Sequence, residues 1–259
     1  MDKNTLSELH ELVSSGHVDA IDKLIEYYLS INDNKNAFFL AQRYEFFSYA
    51  KGYRTLGYFY QKGIGTNPSI EKAKKYYQKA FDLGDVIAGY NLATIFIKDR
   101  EVDKSLIYLV SGVENNHFPS YRLLANLYLN GDGVEKNTDI AINLLTRVIE
   151  LGDDKSIDSL ATIYYKNKDY ESALKYFQKG ADNSDLDCLY HLALCYAKGL
   201  GTKQDFNKAI KYYQIGANLL EPRCLYNLSL YYRNGTYVEE NIELADKLER
   251  QAFENGFKK

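Results

Sequence analysis

Leu56-Gly57-Tyr58-Phe59-Tyr60-Gln61-Lys62-Gly63-Ile64-Gly65 decides the fold, because its opening phrase recurs through the chain. Leu24-Ile25-Glu26-Tyr27-Tyr28 comes before it and Leu92-Ala93-Thr94-Ile95-Phe96 after it. The phrase returns at Leu124 to Tyr128, Leu160 to Tyr164, Leu192 to Tyr196 and Leu228 to Tyr232. Successive leucines stand 32, 36, 32, 36, 32 and 36 residues apart. Each is followed by a small residue or Ile, and four places on by Tyr or Phe. Self-similarity at such a period is the signature of a repeat architecture, in which stacked units build one continuous core.

A second column explains the two spacings. Ala37, Ala73, Ser105, Ala141, Ala173, Ala209 and Ala245 open the second half of each repeat. From each of the first six, the next leucine is 19 residues on; from a leucine to its own small residue the gap is 13 or 17. The joint between repeats is therefore constant, and the turn inside a repeat varies by about one helical turn. Long turns carry Gly63-Ile64-Gly65, Gly131-Asp132-Gly133 and Gly199-Leu200-Gly201; short ones read Asp99-Arg100-Glu101 or Asn167-Lys168-Asp169.

Both halves of a repeat have helical periodicity. Leu124, Leu127 and Tyr128 form one stripe, and Ala73, Tyr76, Tyr77 and Ala80 another. Gly84, Gly152 and Gly256 fall where a helix would end on a left-handed residue. Asn67-Pro68-Ser69 and Asn137-Thr138 supply helix starts. A third column, four places before the leucines, is small throughout: Ala20, Gly52, Ala88, Ser120, Ser156, Cys188 and Cys224. Two helix backbones should approach closely there. The expectation is an all-α, single-domain solenoid of fifteen helices, with residues 1–16 as a capping helix, seven repeats over 17–256 and a tail at 257–259.

Composition narrows the class. The 259 residues are 46% hydrophobic and 26% charged, as in a folded globular protein. A net charge of −3 gives no basic field for nucleic acid. Acidic residues near the N-terminus and the lack of a run of about 18 apolar residues argue against a signal peptide and membrane insertion. Three cysteines do not make a disulfide framework, so a cytoplasmic location is expected. The partner class expected is another protein or peptide; the oligomeric state is left open.

The stretch Leu56 to Gly65, with Lys72-Ala73, Tyr76-Tyr77 and Lys79-Ala80, resembles the Sel1-like repeat. Leu192 to Gly201, with Lys208-Ala209 and Tyr212-Tyr213, is the next nearest copy, and the shorter copies look more like the related tetratricopeptide repeat. The short copies depart from the family in lacking the glycine turn, and Trp is absent throughout. The resemblance implies a right-handed superhelix whose concave face serves protein–protein contacts. It also implies an adaptor or scaffold of the kind found among bacterial regulatory, host-interaction and toxin-immunity proteins. A peptide-sensing regulator that changes shape on binding is the alternative. An enzyme is disfavoured, since no acid–base constellation accompanies the repeats.

Tempting chemistry has simpler readings. The glycine pairs recur at the repeat period without the strand and longer glycine pattern of a phosphate loop, so they read as turns. Cys188, Cys195 and Cys224 fall in core columns and read as small buried hydrophobes. His17 and His117 share a position held elsewhere by Asp85, Asp153 and Asp185, which points to helix caps. No catalytic residue, metal ligand or cofactor is expected. Of the 25 tyrosines, 16 fall in apolar columns and are expected in the core. The remainder for function lies directly before the leucines or two places from them, and by the tetratricopeptide resemblance the offsets of two point into the groove. Arg54, Tyr58, Tyr90, Asn91, Arg122, Asn126 and Asp158 form one part of this set. Tyr190, His191, Tyr226 and Asn227 form the other. Tyr and Arg are enriched at binding hot spots, and Asn can pair with a peptide backbone.

Overall fold

Helix-forming stripes joined by short turns give an all-helical chain. The computed structural model describes residues 3–258, and among them are fifteen α-helices and no strand. The described residues up to Thr138 form one compact unit and those from Asp139 a second.

The first unit holds α1 (Lys3–Ser14), α2 (Val18–Ser30), α3 (Asn34–Gln42), α4 (Ala50–Lys62), α5 (Ile70–Asp82), α6 (Val86–Lys98), α7 (Val102–Glu114) and α8 (Phe118–Asn130). Each packs on the next in chain order. The opening helix expected over 1–16 is α1, which seals the stack with Leu9 and Val13; Met1 and Asp2 lie outside the described residues. The second unit holds α9 (Thr138–Glu150), α10 (Ile157–Lys166), α11 (Tyr170–Asp182), α12 (Leu186–Lys198), α13 (Phe206–Asn218), α14 (Pro222–Asn234) and α15 (Ile242–Glu254). From α10 onward these too pack in sequence. Of the expected tail, Phe257 is held against Tyr226 with ring centroids 4.2 Å apart, and Lys259 is outside the described residues.

The three columns behave as framework. All seven leucines are 5% exposed or less, and the small residues from Ala37 to Ala245 are fully buried. At three joints a glycine faces a small residue: a Cβ on Gly112 would lie 2.1 Å from Ser120 Oγ, one on Gly180 2.2 Å from Cys188 Sγ, and one on Gly216 2.4 Å from Cys224 Sγ. One joint inverts the sizes. Tyr44, fully buried, lies over Gly52, where a Cβ would come within 2.4 Å of the ring. There α3 is only nine residues long and gives way to a 3-10 turn over Arg43–Phe46, which delivers the ring.

Turn chemistry follows the two lengths. Gly63 and Gly65 have φ of +70° and +67°, and the other two glycine pairs match them. The short turns need only one left-handed residue, filled by Asn32, Arg100 and Lys168. The seventh repeat has Gly235-Thr236-Tyr237, and Tyr237 takes the second glycine's conformation with φ +60°. Caps follow column logic as well. Asp85 and Asp185 accept the N–H of Ala88 and Cys188, and His17 and His117 occupy the same N-cap position.

The tyrosines are less buried than their columns imply. Of the 16 expected in the core, Tyr60, Tyr76, Tyr77, Tyr121 and Tyr213 are buried and the rest are half-buried. Their rings stack across the hairpin, as Tyr196 does on Tyr212 at 5.7 Å and 6°. The hydroxyl then reaches a polar partner on the preceding repeat, as from Tyr212 to Gln178 at 3.0 Å. An amphipathic ring keeps its polar tip near solvent while its body packs.

Candidate partner-binding face

In the first unit the singled-out residues lie on α4, α6 and α8. Arg54, two places before its leucine, reaches forward to the next repeat. Its Nε lies 3.1 Å from Asp85 Oδ2, at the cap of α6. The guanidinium is fixed by this pair and only partly exposed. Arg54, Thr55, Tyr58, Ile87 and Asn91 line a shallow open pocket, with Tyr58 and Ile87 each 44% exposed. Tyr90 meets His117 edge-on at 5.3 Å, and His117 Nδ1 is 2.8 Å from Ser120 Oγ. Burial, helped by the charge of Arg122, holds the His117 imidazole below its ordinary pKa. Asn126 is exposed and Arg122 half-buried. The earlier equivalent, Asp22, is committed internally, accepting from Tyr44, Tyr49 and Lys51.

In the second unit the residues lie on α10, α12 and α14. Arg223 organises them: its Nη2 is 2.5 Å from Asp187, its Nε 2.6 Å from Glu221, and its guanidinium sits 4.4 Å from the Tyr190 ring centroid. His191 is tied to the Asp187 carbonyl at 2.9 Å and stacks on Phe177 at 4.9 Å, so it serves packing. Asn227 donates to the Arg223 carbonyl at 2.7 Å. Tyr226 lies between α14 and the C-terminal Phe257. Asp158 is half-buried, and its Oδ1 is shielded from solvent without a hydrogen-bond partner.

Ile87, Asp187, Glu221 and Arg223 belong to this face but were not among the residues expected from sequence. The spacing held a signal: Asp187 precedes Tyr190 by three, as Arg223 precedes Tyr226, which puts each pair on one helix face. The donor atoms of Asp158, Asp185 and Cys188 lie within 4.8 Å of one another, the one group among the described residues with metal-ligand chemistry. Its thiol is pushed well up by burial and by Asp185, so the sulfur is held protonated. The thiols of Cys195 and Cys224 are raised by burial in the same way. No helix among the described residues is long and apolar enough to cross a membrane.

The fold and the repeated joint define an α-solenoid of helical hairpins. Residues 50–85 and 222–257 match the Sel1 repeat, and residues 135–214 match subunit 3 of the anaphase-promoting complex, cyclosome. A 74-residue stretch is 34% identical to a sel1-like repeat-containing protein of Acanthamoeba polyphaga mimivirus, covering 29% of this chain and 14% of that one. Among solved structures, a protective antigen of uropathogenic Escherichia coli with an SLR fold is similar over 96% of this chain and 58% of its own, at a TM-score of 0.72 and 21% identity. A Sel1 repeat protein from Oxalobacter formigenes is similar over 90% and 96%, at 0.66 and 24%. The chain thus spans a small part of the viral relative and somewhat over half of the E. coli protein. It carries Sel1 repeats at residues 50–85 and 222–257 and shares the SLR fold of these structures. Such repeats are generally non-catalytic scaffolds for protein–protein interaction.

Proposed function

We propose that this chain is an interaction scaffold whose first-helix faces hold a segment of another protein. The observation that carries this reading is the pocket on α4 and α6. Two large apolar side chains, Tyr58 and Ile87, stand exposed beside a guanidinium already fixed by Asp85. A preorganised Arg flanked by an aromatic and an aliphatic anchor loses little side-chain entropy on binding. Asn91, at the pocket edge, offers an amide to a peptide backbone.

The test begins with capture of the partner from native lysate by the full chain, followed by an affinity measurement. Tyr58→Asp combined with Ile87→Asp should weaken binding at least about tenfold, the scale of a hot-spot loss. The melting temperature should hardly move, because both side chains are exposed. Unchanged affinity would discard this face as the docking surface.

A further inference from the structure

The repeat supplies its own comparison for one pair of carboxylates. In several repeats the residue two places before the leucine lies at the N-cap of the next first helix. Asp22 accepts from Tyr49, Arg54 pairs with Asp85, and Tyr90 meets His117. Tyr190 lies beneath the Arg223 that Glu221 holds. Each contact is chemically complementary. The equivalent contact between α10 and α12 is Asp158 against Asp185, two acids where the first unit has an acid and a guanidinium.

Two groups beside Asp158, His191 and Arg223, draw its carboxyl down, but both are committed elsewhere. Arg223 is held by Asp187 and Glu221, and His191 by the Asp187 carbonyl and the Phe177 ring. Asp185 spends Oδ1 on the Cys188 N–H at 2.8 Å. Asp158 Oδ1 accepts nothing, and burial with Asp187 and Asp185 beside it holds its carboxyl above the usual range. Asp185 is exposed, so the gap can be approached from solvent. A carboxylate oxygen shielded from solvent without a partner is costly, and a cation beside it restores the balance.

We infer that the gap between Asp158 and Asp185 seats a basic side chain, Arg or Lys, supplied by the protein segment that docks on this face. The inference rests on the proposed scaffold role. Arg54 on Asp85 shows the expected pose, and Arg223 over Tyr190, one repeat further, shows that this face accepts a guanidinium against carboxylate and ring together. The device gives the docked segment a register, since one basic residue must fall at one repeat.

The test uses the isolated full chain and Nα-acetyl-arginine amide as probe, followed by carbon NMR of the Asp side-chain carboxylates. Saturable shifts are expected at Asp158 and Asp185, with millimolar affinity, and acetyl-citrulline amide should produce none. Asp158→Asn should weaken the arginine response at least tenfold. Asp158→Arg should abolish it and raise the melting temperature by recreating the Arg54–Asp85 arrangement. Arginine amide that leaves both carboxylates unmoved overturns the inference, as does a response unchanged in Asp158→Asn. So does calcium or zinc binding there while arginine amide does not, which would make the cluster a metal site. A lower melting temperature in Asp158→Arg also counts against it. Because the probe needs no partner, the two readings fail separately. The Tyr58→Asp, Ile87→Asp variant can lose the partner while these carboxylates stay silent, which sinks this inference alone.

Discussion

Two glycines with similar backbones carry different loads. Gly65 has φ +67°, and a Cβ there would lie 2.0 Å from the Asn34 carbonyl oxygen, a backbone atom that cannot move aside. Gly84 has φ +87° but open space around it. Gly65→Ala should therefore cost about 2–4 kcal/mol, left-handed strain plus a clash, against about 1–2 for Gly84→Ala. Chemical denaturation of the two variants checks this, and equal losses would contradict it. His117 titrates in the stability curve. Its native pKa is below the ordinary 6.5, so the unfolded chain takes up a proton that the native imidazole resists. Stability should fall as pH drops from about 6.5 to the depressed native value. His117→Asn, which places a favoured capping residue at this N-cap, should flatten the melting-temperature profile in that window. The cysteines make a third case. Cys195 is pushed up to about 11 by burial, and Cys188 and Cys224 are raised too. All three should resist a thiol reagent at pH 8 in the folded chain and react in denaturant. Their column positions made this burial legible from sequence. Tyr44 was not legible, because it is a large ring, delivered by a 3-10 turn, in a column that elsewhere holds Ala80, Gly112, Val148, Gly180, Gly216 and Ala252.

At the scale of the helix and its joint, sequence spacing carried most of the fold. The gap of 13 or 17 residues separated the short turns from the long left-handed ones, with Tyr237 replacing the second glycine in the seventh repeat. The small column forecast tight contacts between a second helix and the next first helix. The local route through each joint depends on side-chain volume, which periodicity does not report. Gly52 shows this: it belongs to the small column, yet it is small because the Tyr44 ring covers it. Gly52→Val should cost about 1–3 kcal/mol through overpacking. In a Tyr44→Ala background the same change should cost less, and a double-mutant cycle gives the coupling. Additive losses would mean the ring is not what excludes a side chain there. Leu124→Ala, in the leucine column, should cost about 2–5 kcal/mol, read from a denaturant melt.

For the whole molecule, the repeat class was readable and the site only partly so. The offsets around the leucines did collect Arg54, Tyr58 and Asn91 at one pocket in the first unit. They also collected Asp158, Tyr190 and His191 near Arg223 in the second. What the offsets could not distinguish is which side chains are spent on the chain itself. Arg54 is tied to Asp85 and His191 to Phe177, whereas Tyr58 and Asn126 remain open to solvent. The central claim is that a partner docks on the faces of the first helices. Hydrogen–deuterium exchange of the full chain, alone and with its captured partner, tests it most directly. Added protection should concentrate in α4 and α6, around residues 54–58 and 87–91, with α5 and α7 little changed. Protection confined to α5 and α7, with α4 and α6 exchanging as in the free chain, would contradict it.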